Sequence, residues 1–211
     1  MTRFASAVIA AAFVIALAGC SGQPVGPAGG SVDGTFKDGA VQSLLAPTGS
    51  TPEKRDLAPL EPSTPVRVFI PAIAVDADLM KLGLRGDGSL EVPPAAYPAG
   101  WYTGSPTPGE LGPSIIAGHV DYNDETGVFA DLARLKAGDR VLVKRKDRST
   151  AVFEVTRLAR FAKDQFPTDA VYGDIDHPGL RLITCGGYDA GSGEWEQNVV
   201  AFAELVDAEQ P

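Results

Sequence analysis

The stretch Pro65-Val66-Arg67-Val68-Phe69-Ile70 is where the pattern of the chain changes, and its reading sets the fold. From it onward, short runs rich in β-branched and aromatic residues alternate with turn signals. The next runs are Ala74 to Leu79 and Ser89 to Val92, divided by Gly86-Asp87-Gly88 and closed by Pro93-Pro94. Ser114 to Val120, Arg140 to Lys146, Thr150 to Ala159, Leu180 to Cys185 and Gln197 to Val206 bring the total to about eight strands. One segment departs from this pattern. In Gly127 to Leu135, the residues Val128, Phe129, Leu132 and Leu135 stand at helical spacing ahead of Gly138, which predicts one short helix. Many short strands and few helices predict a mainly β protein. A closed β-barrel is favoured over a sandwich, with a periodicity that fits both.

The composition agrees with that reading. The chain has 211 residues, room for one globular domain with extensions. It contains 24 Gly and 17 Pro, about a fifth of all residues against a usual ~12%, as expected of a turn-rich protein with an unstructured piece. Lys and Arg number 18 against 27 Asp and Glu, a formal net charge of −9 with no basic block, so phosphate backbones repel it and nucleic acid is excluded as a partner. Only two cysteines are present, which rules out a disulfide scaffold.

Upstream of Pro65 the chain reads as export machinery. Arg3 precedes an apolar run from Phe4 to Leu17, the short charged start and hydrophobic stretch of a secretory signal, shorter than the ~20 residues that span a bilayer. The run ends in Leu17-Ala18-Gly19-Cys20, which resembles the lipobox of bacterial lipoproteins and makes Cys20 the expected lipidation site. A cleaved signal with an incidental Cys is the alternative. Residues 21–64 are rich in Gly, Pro and Ser without a sustained apolar period and are expected to form a flexible tether; a short helix around Val41 to Leu45 is the competing reading. The expected organisation is thus a signal over 1–20, a tether over 21–64 and a folded domain over 65–211. The protein is expected to be exported and lipid-anchored on the outer face of the cytoplasmic membrane.

Two segments carry chemistry. In Gly112-Pro113-Ser114-Ile115-Ile116-Ala117-Gly118-His119-Val120-Asp121 an apolar strand delivers a His at its end. In Leu180-Arg181-Leu182-Ile183-Thr184-Cys185-Gly186-Gly187 a second strand ends in a Cys, followed by two glycines that would let a substrate backbone come close. Singly, Cys185 reads as a small buried apolar residue and His119 as a satisfied strand-end His. Together they read differently, because an unpaired thiol beyond the membrane is exposed to oxidation, and a nucleophile with its acid–base partner is the natural reason to keep one.

Further pieces, in order, are Phe69-Ile70-Pro71, Leu90-Glu91-Val92-Pro93, Ala99-Gly100-Trp101-Tyr102, Phe166-Pro167-Thr168 and Val171-Tyr172-Gly173. With the His and Cys segments, they make the stretch from Arg67 to Leu205 resemble a sortase, and more narrowly a class F sortase of actinobacteria. The resemblance implies an eight-stranded sortase-type β-barrel with short helices and a cysteine transpeptidase activity. Such enzymes cut a Leu-Pro-X-Thr-Gly-type sorting signal on a secreted protein, hold the product as a thioester, and release it to a peptidoglycan amine or to water. His119 and Cys185 fall on the family's catalytic His and Cys, and no cofactor or metal is implied. With an ordinary thiol pKa of about 8.5, only ~3% of such thiols are thiolate at pH 7, so modest turnover is expected.

The family also places an Arg on the strand after the Cys. Here that stretch reads Gly193-Glu194-Trp195-Glu196-Gln197-Asn198-Val199-Val200, and Glu196 stands at the expected Arg position. A carboxylate there would oppose a developing oxyanion, and losing one oxyanion donor typically costs about 100- to 1,000-fold in rate. Three readings follow: Gln197 or Asn198 supplies a neutral donor, a distant Arg such as Arg160 or Arg181 reaches in, or the protein is a weakened or inactive relative that binds peptide or wall fragments. Trp101, Tyr102 and Trp195 are candidates to line an apolar substrate groove, with ordinary packing an equal reading for each. His177 in Asp176-His177-Pro178-Gly179 reads as a solvated turn residue. Asp121, Asp124, Glu125 and Asp131 read as helix-start and surface acids. An L,D-transpeptidase is the other exported cysteine enzyme to weigh, but Ile183-Thr184-Cys185-Gly186-Gly187 lacks its Ser-X-Gly before the Cys.

Overall fold

The computed structural model describes residues 57–189 and 194–211, with only the backbone for 188, 189, 194 and 195. The signal segment, Cys20 and residues 21–56 of the expected tether lie outside the described residues. Among the described residues no helix is long and apolar enough to cross a membrane.

The strands are β1 (Pro65–Ile70), β2 (Val75–Leu82), β3 (Ala99–Tyr102), β4 (Gly112–Ala117), β5 (Asp121–Tyr122), β6 (Glu125–Thr126), β7 (Arg140–Arg145), β8 (Thr150–Ala162), β9 (Pro178–Asp189) and β10 (Glu194–Glu209). Eight of them close a barrel in the order β1-β2-β3-β4-β9-β10-β8-β7, with β7 back against β1. The mainly β, eight-stranded barrel expected from the sequence is the fold observed. Closure leaves no free sheet edge, and the long β8–β10 pair turns its corners at register shifts between Phe202 and Ala203 and between Leu205 and Asp207.

Two strand pairs are parallel, β2 with β3 and β4 with β9. The second matters most. All six residues of β4 are buried, as are Leu180 to Thr184 of β9, because both faces of this pair are covered. Ile116, Leu180 and Leu182 fill the barrel interior with Val68, Phe129, Val141 and Phe153. Ile115 and Ile183 face outward and join Val171, Val200 and Phe202 in a second cluster. That cluster is capped by α1 (Thr168–Tyr172) and flanked by Tyr102, Phe161, Phe166 and Tyr172. Continuous apolar runs in the sequence are thus strands buried on two sides.

Several sequence expectations need correction. Residues 127–135 do not form an α-helix; one 3-10 turn spans Leu132–Arg134. Val128, Phe129, Leu132 and Leu135 are buried as their spacing predicts, but the amides bond three residues back or to another segment. Ala130 N–H donates to the Gly127 carbonyl, Leu132 to Phe129 and Leu135 to Leu132, whereas Gly127 and Phe129 donate to the Val120 and His119 carbonyls. Ser89 to Val92 keeps a single bridge, Leu84 with Leu90, since the prolines at 93 and 94 have no N–H to extend a ladder. Asp121 and Glu125 are not helix-start acids: they lie in the β5–β6 hairpin, turned by Asn123 and Asp124 at φ 50 and 65.

The folded part also starts earlier than residue 65. Leu57 and Leu60 pack on the barrel core, and Leu60 N–H donates to the Gly109 carbonyl at 2.8 Å. Ser63 N–H donates to Thr107 Oγ1 at 3.0 Å, and the buried Arg145 guanidinium donates to the Glu61 carbonyl. Residues 57–64, expected in the tether, are therefore seated on the barrel.

Candidate active site

The parallel register of β4 and β9, Ala117 opposite Ile183, brings the C-terminal ends of two strands side by side. One end continues into Gly118-His119 and the other into Thr184-Cys185. Two hydrogen bonds lock the junction: Gly118 N–H donates to the Ile183 carbonyl at 3.0 Å, and the buried Thr184 hydroxyl donates to the Gly118 carbonyl at 2.7 Å. Gly118 has no room for a side chain, since a Cβ there would lie 2.5 Å from Val128 Cγ1 and 2.7 Å from Phe129 Cδ2. His119 and Cys185 then open into one cleft of about 830 Å³.

His119 is held on three sides. Its carbonyl accepts from Phe129 N–H at 2.9 Å, its Nε2 lies 2.7 Å from the Pro93 carbonyl, and its ring centroid is 5.1 Å from that of Tyr122. A carbonyl oxygen only accepts, so Nε2 carries the proton in this contact and Nδ1 is the other nitrogen. Cys185 is a free, half-buried thiol. Burial pushes its pKa up, Lys163 opposes that shift with its positive charge, and Asp121 reinforces it. Tyr172, also in the cleft, has its phenol pKa raised by burial and by Tyr102.

The walls are apolar on one side, where Leu84, Leu90, Val92 and Pro93 meet Tyr102, Phe166 and Tyr172. The charged lining residues are Arg85 and Lys163, and no Asp or Glu is among the described residues lining the cleft. Lys163 opens the 3-10 turn Lys163–Gln165 that follows β8.

Register decides the remaining candidates. Asn198 pairs with Cys185 across β9 and β10 and lines the cleft. Gln197 pairs with Gly186 and its side chain packs by Gly187, where a Cβ would sit 2.8 Å from Gln197 Cδ. Glu196 is exposed and does not line the cleft. The distant arginines do not line it either: Arg181 is buried, its guanidinium 4.6 Å from the Phe202 ring centroid, and Arg160 lies opposite Val199.

Of the aromatic groove candidates, Tyr102 lines the cleft and Trp101 does not. Trp101 points into the barrel core, where its indole N–H donates to the Pro106 carbonyl at 3.2 Å. Adjacent strand residues face opposite ways, so only one of the pair reaches the groove. Trp195 lies on β10 with its side chain outside the description. The glycines after Cys185 answer to packing: a Cβ on Gly186 would meet Val199 Cγ2 at 2.5 Å, and Gly187 has φ 65. His177 lies outside the cleft, its Nδ1 donating to Asp176 at 2.9 Å.

Sequence reasoning passed over Thr184, Lys163 and Arg85. Thr184 stood beside the thiol in a quoted segment, but Lys163 and Arg85 carried no sequence signal.

Fold and cleft together define a closed β-barrel that presents a thiol and an imidazole at the ends of two parallel strands. The Sortase domain family model matches residues 68–206, and the chain belongs to that family. It is similar in structure to sortase A of Listeria monocytogenes (TM-score 0.54, 18% identity, 72% of this chain and 92% of that one). It also resembles sortase C1 of Streptococcus agalactiae (0.54, 21%, 67% of each) and sortase A of Corynebacterium diphtheriae (0.54, 20%, 70% and 62%). At these identities the structural likeness speaks for the fold. Comparison with curated proteins gave no match.

Proposed function

We propose that this protein is an exported, lipid-anchored cysteine transpeptidase of the class F type, acting on a Leu-Pro-X-Thr-Gly-type sorting signal. The observation that carries the reading is the β4–β9 junction, which sets His119 and Cys185 in one cleft. The Cys185 thiolate attacks the Thr carbonyl carbon, forming a C–S bond and a tetrahedral oxyanion. Collapse breaks the C–N bond, and the His119 imidazolium gives its proton to the departing Gly amine. A peptidoglycan amine or a water then attacks the thioester and gives a proton to His119, and the C–S bond breaks to release the acyl product and restore the Cys185 thiolate. Asn198, opposite Cys185, offers a neutral amide N–H to the oxyanion, and Tyr102 with Leu84, Leu90 and Val92 offers an apolar wall to the Leu-Pro part of the signal. Lipidation of Cys20 tethers the barrel to the membrane.

The test is a panel of sorting-signal peptides with an amine acceptor or hydroxylamine. Parent protein should release the Gly-containing fragment and transfer the acyl part, and Cys185→Ala should do neither. Cys20→Ala should keep the chemistry and leave the membrane fraction. Activity retained in Cys185→Ala would remove the thioester route. A specific observation, that the expected Arg position holds an exposed Glu196 and brings no positive charge to the cleft, favours a second reading, a peptide-binding lipoprotein without turnover. Binding of a panel peptide by a parent that cleaves none would select it.

A further inference from the structure

A cysteine acyl transfer passes through two anions at one place, the thiolate and then the oxyanion on the carbon it attacks. The described cleft lining offers two permanent cations, Arg85 and Lys163, and no carboxylate. Arg85 belongs to the turn that follows β2, with its N–H donating to the Ser89 carbonyl at 2.8 Å, on the wall of Leu84 and Leu90. Lys163 directly follows β8, a strand of the thiol's own sheet. Cys185 pairs with Asn198, and Asn198 pairs with Phe161, so one row crosses β9, β10 and β8. Lys163 comes two residues after Phe161, just past the end of β8 at Ala162, and it lines the same cleft as Cys185 and Asn198. The last β8–β10 pair is Ala162 with Gln197, after which β8 gives way to the turn that Lys163 opens. Lys163 lines the cleft, and Glu196 does not.

We propose that Lys163 is the cation of the acyl-transfer site, stabilising the Cys185 thiolate and the oxyanion that forms on its substrate. The inference rests on the cysteine transpeptidase reading above. It supplies the positive charge that none of Glu196, Arg160 and Arg181 brings to the cleft. Its favourable action on the thiol is the one that opposes burial. The other titratable groups in the surroundings are His119, Arg85, Tyr102 and Tyr172 on the cleft wall and Asp121, which raises the thiol pKa. Lys163 is exposed, so its charge acts through partly screened space and the effect is moderate.

The experiment compares parent, Lys163→Met and Lys163→Arg in the full chain. Alkylation of Cys185 by iodoacetamide is followed site by site across pH, and kcat and KM are measured on the sorting-signal panel. Lys163→Met should move the alkylation midpoint up by about 0.5 pH unit, the size expected of one exposed charge lining the same cleft. It should lower kcat about 10-fold with KM little changed, because the oxyanion exists only beyond the ground state. Lys163→Arg should restore both, and added salt should raise the midpoint of the parent more than that of Lys163→Met. An unmoved midpoint in Lys163→Met overturns the proposal, and a moved midpoint with unchanged kcat overturns its oxyanion half. A parent that alkylates normally yet cleaves no peptide fails the transpeptidase reading instead, and the midpoint alone then decides whether Lys163 acts on the thiol.

Discussion

Replacing Thr184 by Val probes the junction that makes the site. The two side chains are nearly isosteric, so the change removes one hydroxyl from a residue only 4% exposed and little else. That hydroxyl donates to the Gly118 carbonyl at 2.7 Å. Leaving a buried carbonyl without this donor costs about 1–3 kcal/mol. For a domain of this size about 2 kcal/mol corresponds to a fall in Tm of about 4–8 °C. The loss is partial because Gly118 N–H still donates to the Ile183 carbonyl at 3.0 Å. Thr184→Ser keeps the donor and gives up one methyl, so its fall should be clearly smaller. The same bond holds the residue that precedes His119, and a shift of about 1 Å in a catalytic group can cost ~100-fold. With one tie remaining, kcat for peptide cleavage should drop about 10-fold in Thr184→Val and little in Thr184→Ser. Thermal unfolding followed by circular dichroism, beside peptide cleavage, reads both effects. A Thr184→Val protein as stable and as active as the parent would refute the idea that this bond ties the two strands.

Other expectations are more direct. His119→Ala should cut acylation by at least about 100-fold, as measured by thioester capture, and leave the circular dichroism spectrum unchanged. Asn198→Ala should lower kcat by about 100-fold with KM nearly constant if its amide serves the oxyanion. Glu196→Arg, at an exposed position outside the cleft, should change kcat less than about threefold, and a large gain there would return the oxyanion role to position 196. Because burial raises the Cys185 pKa, its alkylation midpoint should lie above the ordinary thiol value of about 8.5, and a midpoint below it would contradict the burial. The sign for stability follows: the fold prefers the protonated thiol, so its contribution is whole below pH of about 8.5 and is lost as pH rises through the folded pKa. Denaturant unfolding of parent and Cys185→Ala should therefore converge or cross at alkaline pH in that direction only.

The sequence by itself determined the strands that are long and apolar, and it pointed to the His and the Cys at the ends of two of them. Ser114 to Ala117 and Leu180 to Thr184 could hardly be anything but buried strands, and each run ended on a reactive side chain. Local chemistry is legible in this way because a turn, a proline pair or a strand-end His depends on its own neighbours. The tertiary structure alone decided what those residues face. Parallel pairing of β4 with β9 put His119 beside Cys185 across a separation of 66 residues, and no local signal encodes that pairing. The β9–β10 register chose Asn198 as the residue opposite the thiol and left Glu196 outside the cleft. Strand parity sent Trp101 inward and Tyr102 outward. In residues 127–135 the apolar spacing reported burial correctly and conformation wrongly, because the amides of Gly127 and Phe129 were taken by the carbonyls of Val120 and His119. A periodic pattern states which side chains leave water, but the partner of each backbone group, and hence the shape of the site, is settled only when distant strands meet.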